Sequence, residues 1–414
     1  MRVRPAPALY VTADGLLQAL GFSQVVRVVE ALARRGYAYS IVSLEKPTDL
    51  ERTDRARDLR ERLAASGVTW RFVPYASTGS GRDAATNEFA LVDAAVSLAR
   101  RGAISGIHAR AYHGAFAAFS AWMTAGTPYL FDARSYWFDE RLEEGRWFTS
   151  PLRLAVARGV EHQLFSHAAG VVTLTELQAD DVRSGKFGPS RHRAVQCITT
   201  CADFDDFVRR PAAQCTRVPE DLRARLAGKS VLGVIGSINR SYLVDETLHL
   251  ARLVLERSDN AHLLILGSQH EEYARRVAAE GIPSDRVTIT RADHDAMPQW
   301  LSLIDWGLLL LNPGSPAKRA SMPTKLAEFF ACGVRPVQFG CNQEVSDWVR
   351  RTGSGFVLDG VGEQQLVRAA ERMASTPRDE NVTGRARVIA KPHFSLAAGI
   401  EKYEQVLKRV FPSP

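Results

Sequence analysis

Two parallel-sheet α/β domains are the fold that this sequence predicts, and three observations predict it. Short apolar runs alternate with helix-periodic segments along the chain, the pattern of a mostly parallel sheet covered on both faces. The alternation comes as two series, separated near 207–219 by a polar, arginine-rich stretch without strand periodicity. The length of 414 residues suits two hydrophobic cores better than one.

The first series opens with an apolar strand at 8–12 and the loop ADGLLQALGFSQ, then a helix over 22–35 stopped by Gly36. Strands follow at 39–44, 68–73, 104–109 and 128–132, with helices at 49–66, 87–101 and 114–125 between them. Helix 151–166, strand 170–174, helix 176–184 and strand 194–198 close the first domain, whose body is expected to be 1–207. The second domain, 220–393, starts at the buried strand 231–235, which runs into Gly236, Ser237 and, just beyond, Arg240 and Tyr242. Strands 263–266, 287–289, 306–310 and 336–339 follow, then helices from 342 and 363. A last helix over 396–410 places Ile400, Tyr403, Val406, Leu407 and Val410 on one face.

In such folds ligands bind beyond the carboxyl ends of the strands. Three loops there carry unusual residues. The first has Asp14, Gly15, Gly21 and Gln24, where the glycines serve either a tight turn or close approach of a ligand. The strand at 104–109 ends in HARAYH, with His108, Arg110 and His113. The strand at 128–132 ends in FDARSYWFDERLEEGRW, packing Asp132, Arg134, Asp139, Glu140 and Arg141 among Tyr136, Trp137 and Trp147. That mixture suits a hydroxyl-rich ligand; a surface loop held by its own ion pairs is the alternative.

The second domain concentrates its chemistry in SMPTKLAEFFACGVRPVQF, 321–339. A helix is expected from Pro323 as its first residue, with Gly333 ending it. Lys325 lies in the first turn, where the helix dipole disfavours a cation, and Glu328 follows one turn later on the same face. Free N–H groups at a helix start attract anions, and a neighbouring lysine strengthens the attraction for phosphate. Glu328 is placed to accept hydrogen bonds from sugar hydroxyls. An i,i+3 ion pair between the two side chains explains the same spacing. The turn at Gly233–Gly236 reads GxxG and not the dinucleotide fingerprint GxGxxG.

Composition narrows the class. The chain is 45% hydrophobic and 24% charged, as soluble globular proteins are, and no apolar run approaches the roughly 20 residues of a membrane span. MRVRPAP is not followed by an apolar segment, so no signal peptide is expected. Five cysteines without a CxxC pair read as reduced structural thiols of a cytoplasmic protein. The net charge of +7 is spread along helices as arginine pairs, which leaves open peripheral contact with an acidic membrane face. Nucleic-acid binding is not expected, because no helix-turn-helix, zinc-finger or RNP-like signature occurs.

Six segments, in order and over nearly the whole length, resemble the retaining nucleotide-sugar glycosyltransferases of family 4, which have the GT-B fold of two Rossmann-like domains facing across a cleft. ADGLLQALGFSQVVRVVEALARRGY resembles the family's first glycine loop and helix. HARAY and FDARSYWFDERLEEGRW resemble segments of an exopolysaccharide-type subgroup. ITTCADFDDF resembles the inter-domain boundary motif, with Thr200 where proline is commoner. GSINRSY resembles the first loop of the second domain, and KRASMPTKLAEFFACGVRPV the donor-binding helix.

The resemblance implies that Glu328 binds the donor ribose. It implies that Lys325, with Ser321, Thr324 and their neighbouring amides, holds the diphosphate, with Gly236, Ser237 and Arg240 facing them and Gly21 approaching from the first domain. Lys325, Arg240 and Arg110 are the implied catalytic cations, and Asp132, Arg134, Asp139 and Glu140 the acceptor side. The last helix, within 394–414, is implied to cross back to the first domain. Many members carry an acid eight residues before the ribose-binding glutamate; here that position is Ala320, with Lys318 or Ser321 as substitutes. The implied activity is retaining, metal-independent transfer from a nucleotide-diphosphate sugar to a saccharide, lipid-linked saccharide or small-molecule acceptor, without a cofactor. A nucleotide-sugar 2-epimerase and a non-catalytic nucleotide-sugar-binding protein are the alternatives, the second because of Ala320.

Overall fold

The computed structural model describes residues 6–51, 53–76, 81–143, 145, 150–188, 194–314, 316–340 and 342–411. By internal contacts the chain divides into two compact units, Met1–Thr199 with Gly399–Pro414, and Thr200–Ala398. The polar stretch 207–219 belongs to the second of these, followed at once by a short helix, Glu220–Leu226.

In the first unit the strands are β1 (Ala8–Thr12), β2 (Tyr39–Glu45), β3 (Thr69–Pro74), β4 (Gly106–Arg110), β5 (Tyr129–Ala133), β6 (Gly170–Thr173) and β7 (Ala194–Cys197). They lie in the order β3-β2-β1-β4-β5-β6-β7, and every pairing is parallel. β1, β4 and β5 are buried along their whole length, which is why they read as unbroken apolar runs and not as alternating ones. The order reverses between β1 and β4, the topological switch point at which ligands of such sheets bind.

The second unit repeats the plan with β8 (Ser230–Ile235), β9 (Ala261–Leu266), β10 (Val287–Thr290), β11 (Trp306–Leu310), β12 (Arg335–Phe339) and β13 (Phe356–Val357). Their order is β10-β9-β8-β11-β12-β13, again parallel throughout, with the switch point between β8 and β11. Leu263, Ile265, Leu308 and Val337 meet Leu250, Leu253 and Ala370 of the covering helices in one apolar core.

Two departures from the expected elements have physical causes. The first helical segment starts at Ala19 and contains a π-helical turn, Phe22–Val26, before it continues as Arg27–Arg34. Its start is set by packing: a Cβ on Gly21 would overlap the carbonyl of Gly15, so only glycine lets the helix seat on the loop before it. A helix not expected from the sequence, Glu380–Phe394, carries Gly384 and Pro392, both of which weaken a helical signal. Its start is capped by the Asp379 carboxylate, which accepts from the N–H groups of Asn381 and Val382.

The last helix, Leu396–Val410, buries Ile400, Tyr403, Val406, Leu407 and Val410. Its far end lies on the first sheet, where a Cβ on Gly106 would overlap Phe411 and one on Gly170 would crowd Val410. No helix among the described residues is long and apolar enough to cross a membrane.

Candidate functional site

The site in the second unit forms where β8 ends and the helix Thr324–Cys332 begins. That helix starts one residue later than the proline rule places it, with Pro323 as its N-cap (φ −63°, ψ 128°) and no side chain capping its first amides. Gly333 ends it in the left-handed conformation at φ 65°, as the sequence requires. The start of the helix therefore presents uncapped N–H groups.

Lys325 leans away from its own helix toward the β8 turn. Its Nζ lies 4.1 Å from the centre of the Tyr242 ring. A Cβ on Gly236 would come within 2.8 Å of that Nζ, and Gly236 itself holds φ 116°, so both space and backbone call for glycine. The lysine's charge depresses the Tyr242 hydroxyl's pKa against the opposing effect of burial, and Lys318 adds to the depression. Among the described residues no carboxylate comes within ion-pair distance of Lys325, so the i,i+3 pair with Glu328 is not the arrangement found.

Glu328 is half-buried and makes no hydrogen bond among the described residues. Burial pushes its carboxyl up to about 7, with only partial relief from Lys325. A lysine without an acid and a glutamate without a donor thus stand one turn apart on one helix.

The residues around them form a frame. Tyr273 donates its hydroxyl to the Gly236 carbonyl at 3.1 Å, and Ser237 accepts from Asn239 Nδ2 at 3.2 Å. Ser321 Oγ donates to the Lys318 carbonyl at 2.9 Å. Asn342 donates to the carbonyls of Lys318 and Ser321 and caps the helix Gln343–Thr352 through the Val345 N–H. Thr324 opens the helix Thr324–Cys332 and is half-buried, whereas Arg240 is exposed on the β8 loop. Ala320 ends the 3-10 turn Pro316–Ala320 with no exposed surface, so the position that carries an acid in many family 4 members faces inward here. Tyr273 and Asn342 were not anticipated, since neither stands in a recognisable motif.

In the first unit the residues at the ends of β1, β4 and β5 form a different kind of cluster. Arg110 and Asp132 are opposite each other in register, and Tyr10 is opposite His108. Arg134 Nη2 donates to Asp132 Oδ2 at 2.5 Å and to the Tyr403 hydroxyl at 2.9 Å, and that hydroxyl donates to Asp132 at 3.1 Å. Arg110 Nε donates to Asp14 at 2.6 Å. Burial opposes ionisation of Asp132, but Arg134, His108 and Arg110 outweigh it and hold the carboxyl far below the usual range. His108 sits 3.6 Å from Asp132 and 3.3 Å from the Tyr39 hydroxyl, and its burial lowers its pKa.

Asp132 has no exposed surface and Arg110 only 4%, so neither presents its charge outward; Asp14, 34% exposed, lies at the rim. Asp139 pairs with Arg158, which also donates to Glu161 at 2.7 Å, and Glu140 is half-buried on the same helix, Trp137–Glu143. Trp147 lies outside the described residues.

Residues 23–197 match the family model of the glycosyl transferase 4-like domain. No curated protein matches the sequence. Among solved structures, the chain is similar to HepE of Anabaena, solved with UDP and with UDP-glucose; for the UDP complex the identity is 13%, the TM-score 0.67, and the match covers 97% of this chain and 99% of that one. It is also similar to sucrose-phosphate synthase of Thermosynechococcus elongatus, at 15% identity and TM-score 0.71, covering 98% and 99%. A putative UDP-N-acetylglucosamine 2-epimerase of Listeria monocytogenes matches at 10% identity and TM-score 0.65, covering 99% and 98%. The two parallel sheets with their covering helices, and these matches over almost the full length, give the chain the GT-B fold of two Rossmann-like domains.

Proposed function

We propose that the protein transfers a sugar from a nucleoside-diphosphate donor to an acceptor hydroxyl, with retention at the anomeric carbon. The observation that carries this reading is Lys325, a cation without a carboxylate partner among the described residues, at an uncapped helix start beside the Gly236 turn. Departure of a nucleoside diphosphate builds negative charge on the phosphate oxygens, and pre-placed cations and N–H groups stabilise that charge best when they need no reorganisation. Lys325 and the N–H groups of Met322 and Thr324 fill this role, since Pro323 has no N–H and that of Ser321 donates to the Lys318 carbonyl; Lys318 and Ser321 lie beside them, with Gly236, Ser237 and Arg240 on the facing turn. No metal is invoked.

Glu328 completes the donor site. Its carboxylate lacks hydrogen-bond donors, and ribose hydroxyls supply them. In a retaining transfer the acceptor hydroxyl attacks on the face the diphosphate leaves, and the departing phosphate oxygen takes the acceptor's proton. The chain then needs no nucleophile of its own. In the first unit, Arg134, Asp139 and Glu140 are the acceptor-side candidates, while Asp132 and Arg110 act through Arg134 and Asp14. Gly21 keeps its proposed place on the donor side in addition to its packing on Gly15. The acceptor is a saccharide, free or lipid-linked, or a small hydroxylated molecule. The HepE complexes with UDP and UDP-glucose support a uridine nucleotide as the first donor to try.

The test is turnover with UDP-glucose and related nucleotide sugars by the full chain and by Lys325→Ala and Glu328→Ala. Loss of about 100-fold or more in kcat for Lys325→Ala is expected, the scale for removing one transition-state charge partner. Native-like thermal unfolding of both variants is the control. Undiminished turnover by both would sink the assignment. Epimerisation of UDP-N-acetylglucosamine without acceptor would favour the 2-epimerase reading, which the shared fold of the Listeria protein keeps open.

A further inference from the structure

A second cationic site lies at the opposite end of the same strands. Asp305 immediately precedes β11, Cys332 and Gly333 precede β12, and Ser230 opens β8; the Gly236 and Lys325 site stands at the other end of β8 and β11. A strand of five or six residues separates the two ends by roughly 17–20 Å. Around these strand starts is a cavity of about 650 Å³, within the size range of small-molecule sites. Arg209, Arg210, Lys229, Arg378 and Arg387 line it, against two carboxylates, Asp305 and an exposed Glu380 on the rim.

Part of this charge is structural. Arg387 spends its guanidinium on the carbonyls of Phe204, Phe207 and Ala331. Arg209 donates to the Ile304 carbonyl at 2.6 Å and to Asp305 at 3.0 Å. Asp305 is fully engaged: it also accepts from Arg378 at 3.2 Å and from the Val231 N–H at 3.0 Å. One carboxylate therefore answers several guanidiniums. Burial and the charge of Arg378 push Arg209 down to about 10, and burial with Arg378 and Arg209 does the same to the adjoining Arg335. Arg378 Nε is buried without a hydrogen-bond partner. Arg210 reaches only the Asp206 carbonyl, at 3.3 Å, and the Lys229 ammonium has no partner among the described residues.

We infer that this cavity binds a small phosphorylated anion carrying two or more negative charges. The surplus guanidinium donors match phosphate oxygens. The lining contains no aromatic side chain, which disfavours a nucleobase and sets this ligand apart from the nucleotide proposed at Lys325. Arg378, Arg210 and Lys229 supply the contacts, and Asp305 holds the arginines in place.

Inorganic pyrophosphate is the probe, titrated calorimetrically into the full chain. The Lys325→Ala variant, in which the diphosphate site proposed above is removed, should still bind it, and the cavity variants are read in that background. Lys229→Ala and Arg378→Ala should each weaken it by about tenfold or more, as loss of one charge-assisted contact to phosphate implies. Lys229 is half-buried at the cavity edge, so its variant carries the test if Arg378→Ala fails to fold. Absence of binding, binding abolished by Lys325→Ala alone, or binding unchanged in both cavity variants would each overturn the inference. Equal affinity for citrate would overturn the phosphate class.

Discussion

The ends of the two sheets hold charged residues in comparable topological positions, yet the charges are treated oppositely. In the first unit two arginines face two aspartates: Arg134 and Asp132 at 2.5 Å, Arg110 and Asp14 at 2.6 Å, with Tyr403 closing the group. In the second unit Lys325 has an aromatic ring in place of a carboxylate, and among the described residues Glu328 has neither a donor nor an ion pair. Charges that answer each other hold a structure; charges left unanswered are available to a ligand and weaken the fold that carries them. A likeness of topology thus hides a difference, in which the first cluster ties its own elements together and the second leaves its charges unanswered.

The largest effect that tests this contrast is expected at Asp132. Asp132→Asn leaves Arg134 buried without its counter-charge and should cost about 3–5 kcal/mol of unfolding free energy in urea. Because the native carboxyl titrates below its unfolded value, the stabilisation is present above about pH 4 and is lost as the pH falls further. The wild-type advantage should therefore close in acid. A neutral Asp132→Asn at pH 7 would erase the distinction between the clusters.

Glu328 should behave in the opposite sense. Its native carboxyl titrates near 7 against an ordinary 4.5, so its favourable, protonated form is fully present below 4.5 and is lost as the pH rises through 7. Relative to Glu328→Gln, the wild-type chain should lose stability over that window, by at most about 3 kcal/mol. Thermal melts from pH 4.5 to 8 read this directly, and a wild-type chain that instead gains on the variant with rising pH contradicts it.

The smallest effect is expected at Tyr403→Phe, which removes the hydroxyl that donates to Asp132 and accepts from Arg134 and should cost about 1–2 kcal/mol in the same urea experiment. A cost comparable to that of Asp132→Asn would make the tyrosine, and not the ion pairs, the keystone of the first cluster.

The sequence was most informative where one element carries the whole signal. Strands such as Trp306–Leu310 and the last helix, Leu396–Val410, stand where the apolar pattern puts them. Lys325 and Glu328 were visible because they share one short helix, though only the structure shows that the two side chains do not pair. Asp132, Arg134 and Arg110 were visible as residues but not as a network. Arg110 finds Asp14 from 96 positions away and Arg134 finds Tyr403 from 269, distances over which no local period reports. Tyr403 read simply as one apolar member of an amphipathic face. The cavity near Asp305 was equally hidden, since its arginines come from separated segments whose partners are mostly backbone carbonyls.

The position of Tyr403 has a consequence for how the protein is made. The first unit needs this side chain, and the cover over Gly106 and Gly170, from a helix translated after the whole of the second unit. At typical synthesis rates of about 5–20 residues per second, the seven-stranded sheet emerges roughly 10–40 s before the helix that seals it. During that interval Asp132 and Arg134 lack the Tyr403 hydroxyl that joins them, so the first sheet completes its packing only when the last turns of chain arrive.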